Sequence, residues 1–357
     1  MNKHNPEITI DGRKIGKGHK PYIVGEISAN HNGSLDKAVA TMEMIAAAGA
    51  DAIKIQTYTA DTITLNSNTA DFQIIGGPWH GYNLYDLYKQ AETPYEWHPI
   101  LFEKAKQLGI TLFSTPFDDT AVDLLESLNT PAYKIASFEI THLPLIKYVA
   151  KTLKPIILST GLANVDEITQ AIETARDNGC KELAVLHCVS AYPAPVDQIN
   201  LATIHNLAKR FNCVVGLSDH TLGTAVAITS VAMGASFIEK HVTLSRHDKG
   251  PDSEFSLEPA ELTQLCTDAN IAWQAIGKPN YDITEAEKQN LKFRRSLYFV
   301  KDMQVGDVIT DDCVRIVRPG YGIAPKYLDK VLGKVVEKKV SANSAVTWDL
   351  LSRQNST

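Results

Sequence analysis

Cysteine is scarce in this 357-residue chain. There are five, Cys180, Cys188, Cys213, Cys266 and Cys313, an odd number with no CxxC pair among them. That excludes a disulfide framework and a four-cysteine metal knot, and it points to reduced thiols in a cytoplasmic protein. Long apolar runs are missing as well, since none approaches the roughly 18 residues of a membrane helix. The opening MNKHNPEITIDGRK lacks the apolar centre of a signal peptide, which fits the same expectation. No long basic stretch occurs and the formal net charge is −6. Neither nucleic acid nor an anionic membrane is therefore an expected partner.

What is present is an alternation. Near-continuous apolar runs occur at residues 22–28, 52–58, 111–117, 132–137, 155–161, 183–190, 214–220 and 237–243. Such runs suit strands covered on both faces. Helical patterns follow them, and those at 35–48, 94–108, 164–178 and 222–233 are each closed by a glycine (Gly49, Gly109, Gly179, Gly234). Asp118, Asn164 and Asn200 are candidate N-caps. Eight strand–helix units in about 250 residues predict an α/β protein of the (β/α)8 barrel type. Residues 7–15 read as a preceding hairpin turned at Asp11-Gly12. Residues 1–276 are assigned to the barrel and 277–292 to a polar linker. Residues 293–357 form a small separate module of short β-like runs, ending in a disordered SRQNST tail. Residues 59–93 are too long for an ordinary connection and read as a lid or specificity loop.

In a barrel of this kind the chemistry lies at the carboxyl ends of the strands. His220 and His241 end the seventh and eighth strands, twenty-one residues apart. On adjacent parallel strands they face one cavity, as two ligands of a divalent metal or as two unrelated histidines. Lys54, Lys134, Ser159-Thr160-Gly161 and Ser218 suit a phosphate or carboxylate. Either lysine has two rival roles, a Schiff-base nucleophile or an ion pair with Glu239 or Asp219. Glu26 is a general acid, a general base or a neighbour of the metal. His31, in Asn30-His31-Asn32-Gly33, contacts substrate or caps a turn. Asp252 reaches the rim or is a turn residue, and His187 reads as structural.

Several pieces, in order, resemble one family: GEISANHNGS (25–34), IKIQTY (53–58), FSTPFD (113–118), YKIAS (133–137), LSTG (158–161), HCVSAYP (187–193), GLSDHT (216–221), EKHVT (239–243), GPD (250–252), FRRS (293–296) and RPGYGI (318–323). This is the sialic acid (nonulosonic acid) synthase family of phosphoenolpyruvate-condensing enzymes, and the resemblance runs from about residue 20 to 351. Within it, the stretch 76–98 and HCVSAYPAP are most like the branch that makes pseudaminic acid. The resemblance implies a metal-bearing barrel followed by an antifreeze-like (SAF) domain, in a domain-swapped homodimer. It implies His220 and His241 as ligands of Mn²⁺, with Mg²⁺, Co²⁺ or Zn²⁺ as alternatives, and a phosphoenolpyruvate site of Lys54, Gln56, Thr115, Lys134, Ser159 and Ser218. Around a diacetamido-trideoxy hexose it implies His31, Ser190, Tyr192, Asp252 and the partner's copy of Arg318, with Glu26 orienting the aldehyde or moving protons. Two rival readings are a pyruvate aldolase using Lys134 and a non-enzymatic carbohydrate- or ice-binding protein. Many charges in residues 294–351 disfavour an ice-binding face.

Overall fold

A computed structural model describes residues 6–77 and 79–353. Two compact units divide the chain, residues 1–277 and 278–357.

The first unit opens on an antiparallel hairpin, β1 (Glu7–Ile10) and β2 (Arg13–Gly16). Asp11 and Gly12 turn it with φ of 49° and 77°, the double left-handed conformation of a type I′ turn that Asp-Gly adopts readily. Eight parallel strands follow: β3 (Tyr22–Glu26), β4 (Ala52–Thr57), β5 (Thr111–Pro116), β6 (Tyr133–Ile135), β7 (Ile156–Ser159), β8 (Leu183–Cys188), β9 (Val214–Asp219) and β10 (Phe237–His241). They close in sequence order, β10 pairing back onto β3, into the expected barrel.

The period-2 geometry of a strand sorts the side chains into two populations. One set faces the surrounding helices. Ile23, Ile53, Ile55 and Ile238 pack with Met42, Leu101 and Leu265; Ile135, Ile156, Val185 and Leu217 pack with Ile146, Ile172 and Leu207. The alternate set faces inward. Tyr22, Val24, Ala52, Phe113, Ile157, Ala184 and Phe237 fill the start of the barrel, and the hairpin's Ile8, Ile10 and Ile15 join them. The hairpin therefore plugs the amino-terminal end. The next inward positions on the same strands are polar: Glu26, Lys54, Thr115, Lys134, Ser159, Ser218 and Glu239, all buried.

Each strand ends one or two residues before the end of its apolar run, because backbone pairing stops where the rim loops begin. Asp118 and Asn164 cap their helices, accepting backbone N–H bonds. Asn200 does not. It lies at φ 50°, its amide donates to the Gln198 carbonyl, and the helix Ala202–Phe211 starts without a side-chain cap. The insertion is more ordered than its polarity suggested, with helices at Ala60–Ile63 and Leu84–Ala91. No helix among the described residues is long and apolar enough to cross a membrane.

The second unit pairs β11 (Ser296–Phe299) with β12 (Val314–Val317). It has its own core, in which Leu297, Phe299, Ile309, Val331, Val336 and Val346 pack together. Of the tail, 354–357 lie outside the described residues. Ser352 does not fit a disordered tail, since Lys334 donates to its carbonyl at 2.7 Å and Val335 to its hydroxyl at 3.1 Å.

Candidate active site

The polar inward layer forms the floor of a cavity of about 460 Å³ at the carboxyl end of the barrel, within the range of about 300–1,000 Å³ for small-molecule sites. Its hub is Glu239 on β10. One oxygen, Oε1, accepts from Lys134 Nζ at 3.0 Å and Ser218 Oγ at 3.2 Å, and lies 3.6 Å from Lys54 Nζ. Lys54 also donates to Thr115 Oγ1 at 3.1 Å and stands 2.5 Å from Glu26 Oε2. Burial pushes the Glu26 carboxyl up to about 7, opposed by Lys54 and reinforced by Glu239. Glu239 is held low: burial would raise it, and the two lysines outweigh burial. Two ammonium groups thus face one firmly ionised carboxylate and one that is partly protonated near neutrality. Burial also pulls Lys134 down, against Glu239. The two lysines and the hydroxyls of Thr115, Ser159 and Ser218 converge on the cavity as donors, which suits an anion.

Ser159 adds a buried hydroxyl with no partner among the described residues. The neighbouring turn needs its glycine. A Cβ on Gly161 would fall on Ser190 Oγ and within 2.8 Å of Ser137 Oγ, to which the Gly161 N–H donates at 3.0 Å.

Above the floor stand the two imidazoles. The His220 and His241 rings are 5.4 Å apart and inclined at 61°. His220 Nδ1 is 3.0 Å from the Val189 carbonyl, which orients the ring and leaves Nε2 for a metal. His241 Nδ1 has no hydrogen-bond partner among the described residues and lies 3.7 Å from Asp252 Oδ2. Burial, with His220 and both lysines nearby, holds His241 neutral by pushing its pKa well down. A neutral, unpartnered imidazole beside a carboxylate is a ligand set suited to a divalent cation. Among the described residues, no three His, Cys, Asp or Glu side chains already stand in ligating positions.

Of the residues expected from the sequence, Lys54, Gln56, Thr115, Lys134, Ser159, Tyr192, Ser218, His220, His241 and Asp252 line this one cavity. Asp252 accepts from Ser28 Oγ at 2.5 Å, and Gln56 donates to the same hydroxyl at 3.0 Å. Four expected residues do not line it. Glu26 is fully enclosed behind Lys54. His31 is buried edge-on against Trp97, its Nδ1 accepting from the Gly33 N–H. Ser190 packs over Gly161. Arg318 belongs to the second unit. His187 is structural as expected, bonded to the Ile199 carbonyl.

Three residues escaped the sequence reading. Glu239 figured only as an ion-pair partner. Strand parity was the missing signal: if His241 points inward, Glu239 two residues earlier does too, while Lys240 points out and pairs with Asp219 at 2.9 Å. Ser137 and Glu139 lie on a 3-10 turn after β6, where no periodicity marks them. Burial pushes Glu139 up to about 7, opposed by Lys134, and its Oε2 is unpartnered.

The chain matches the NeuB family over residues 41–281 and the SAF domain over residues 294–352. It is 41% identical, over 92% of its length and 95% of the relative's, to a pseudaminic acid synthase of Campylobacter jejuni. A pseudaminic acid synthase of Helicobacter pylori is 42% identical, with coverages of 93% and 98%. Among solved structures, an N-acetylneuraminic acid synthetase of Leptospira borgpetersenii in complex with citrate matches with a TM-score of 0.73 and 30% identity, over 82% of this chain and 98% of that one.

Proposed function

The chain belongs to the NeuB family, and on that premise we propose that it condenses phosphoenolpyruvate with 2,4-diacetamido-2,4,6-trideoxy-β-L-altropyranose to give pseudaminic acid and phosphate. The observation that carries the reading is the combination of a buried floor bearing Lys54 and Lys134 with two imidazoles directly above it.

In this reading Lys54 and Lys134 hold the phosphate and carboxylate of phosphoenolpyruvate, helped by the hydroxyls of Thr115, Ser159 and Ser218 and by Gln56. Glu239 sets the distance between the two lysines, and Glu26 positions Lys54 from behind. C3 of the enol attacks C1 of the open-chain sugar aldehyde and the new C–C bond forms. Water adds at C2, the C2–O bond breaks, and phosphate departs with its bridging oxygen. His220 and His241 would hold a divalent ion, Mn²⁺ by preference with Mg²⁺, Co²⁺ or Zn²⁺ as alternatives, which polarises the aldehyde as a Lewis acid. Tyr192 and Asp252 face the sugar. An aldolase would need Lys134 as a free amine. Burial and Lys54 push Lys134 down, but it pairs with Glu239 at 3.0 Å, and that pairing supports service as a cation.

Arg318 is proposed to reach the acetamido sugar of a partner chain in a domain-swapped homodimer, and the setting is proposed to be the cytoplasm. Mixing Arg318→Ala with His241→Ala chains should restore turnover that neither variant has alone.

The test is phosphate release from phosphoenolpyruvate with Mn²⁺, offering the altro- and manno-configured diacetamido sugars and N-acetylmannosamine separately. Release with the altro sugar alone is expected. Release with only another sugar would keep the chemistry and reassign the acceptor to that of a legionaminic or sialic acid synthase. No release from folded, metal-loaded protein would end the condensing reading.

A further inference from the structure

We infer that the insertion between β4 and β5 is an apolar recognition wall for the methyl end of a 6-deoxy acceptor, an inference that rests on the reading above. The cavity has two chemically different sides. The inward side chains of the strands are polar there: Lys54, Gln56, Thr115, Lys134, Ser159, Ser218 and Glu239. What the insertion contributes is Ile63, Ile74, Leu84 and Leu87 with the rings of Trp79 and Tyr88. Tyr58 and Phe117 continue the surface, with Tyr58 edge-on to Tyr88 at 5.9 Å and to Phe117 at 5.0 Å.

The wall is built in place. Trp79 Nε1–H donates to the Pro251 carbonyl at 3.2 Å, and the indole meets Tyr192 at 5.5 Å. That ties the insertion to the loop bearing Asp252. It also uses the indole's only donor within the protein. The aliphatic part of the wall therefore offers a sugar no hydrogen-bonding group.

Condensation fixes the acceptor's orientation. C1 must meet C3 of phosphoenolpyruvate beside His220 and His241, so the far end of the open chain points away from the floor. The two acetamido groups each need polar partners; Glu139 Oε2 has none among the described residues, and the Asp252 carboxylate, which accepts from Ser28 through Oδ2, lines the same cavity. A C6 methyl needs none and gains from apolar contact. A C6 hydroxyl in the same place would lose its water without replacement.

The experiment compares kcat/KM for the 2,4,6-trideoxy acceptor and for its 6-hydroxy counterpart of the same configuration. In the wild type the deoxy sugar should lead by roughly 10–100-fold, as apolar pockets discriminate. Leu87→Asn, and separately the half-buried Leu84→Asn, should cut that ratio at least about fivefold, a sizeable part of that discrimination. KM for phosphoenolpyruvate should stay unchanged, which a general loss of structure would not allow. Equal use of the two sugars by the wild type, or an unchanged ratio in both folded variants, overturns the wall. Turnover of N-acetylmannosamine with neither deoxy nor hydroxy diacetamido sugar overturns the acceptor assignment itself, and the wall with it.

Discussion

Ser159 and Glu139 are two buried polar groups that the protein leaves unpaired, and each makes a separable prediction. Ser159 is 1% exposed and its hydroxyl has no partner among the described residues. Ser159→Ala therefore breaks no internal bond, and unfolding stability should stay within about 0.5 kcal/mol. If the hydroxyl serves a charged phosphate, its loss removes about 1.5–3 kcal/mol of binding. KM for phosphoenolpyruvate should then rise roughly 10–100-fold. An unchanged KM would remove Ser159 from the anion site.

Glu139 is pushed from 4.5 up to about 7 by burial. A carboxyl raised in the folded state contributes stability below the unfolded value near 4.5 and loses it as pH rises through about 7. In substrate-free protein, Glu139→Gln should gain on the wild type by about 2–3 kcal/mol between pH 4.5 and 8. Urea titrations at both pH values check this, and a pH-independent difference would refute it. Glu139 also shows where sequence reading stops. Lys54, Lys134 and the two histidines were legible because they stand on or at the carboxyl ends of apolar strand runs, where a barrel keeps its chemistry. A residue on a one-turn 3-10 segment obeys no such rule, and only the folded chain brings it to the cavity.

The hairpin β1–β2 is four residues a strand and far from the chemistry, yet it completes the core. Ile10 is fully enclosed among Tyr22, Phe113 and Phe237. Ile10→Ala should cost about 2–5 kcal/mol, with both KM values unchanged because the hairpin closes the opposite end. A changed KM would mean that the plug and the floor are coupled. The same hairpin was readable in advance, since Asp-Gly between two apolar pairs has few other solutions. The barrel strands were readable too, in existence and order, because burial on both faces leaves long apolar runs. Their ends were not, since apolar residues such as Ile27 and Val189 continue past the last paired position. Asn200 looked like a cap by residue type alone, and the backbone placed it in the left-handed region instead. The insertion's helices were hidden by their polar outer faces.

At the scale of the whole molecule, the charged and hydroxyl groups of the floor found among the described residues belong to residues 1–277, and the second unit carries a separate core. A fragment of residues 1–277 should therefore fold alone and bind phosphoenolpyruvate within about threefold of the full chain. It should lose turnover if Arg318 acts as proposed. Loss of phosphoenolpyruvate binding by a folded fragment would bring the second unit into the anion site. The plugged foot of the barrel has a temporal consequence. A shaft open at one end fills and empties as a stack: whatever rests at the bottom enters first and leaves last. Phosphoenolpyruvate, whose groups the floor receives, must then precede the sugar. A sugar that arrives early blocks the way down. Initial rates should show compulsory order, with excess acceptor inhibiting competitively against phosphoenolpyruvate. A random pattern without that inhibition would mean that the floor has a second way in.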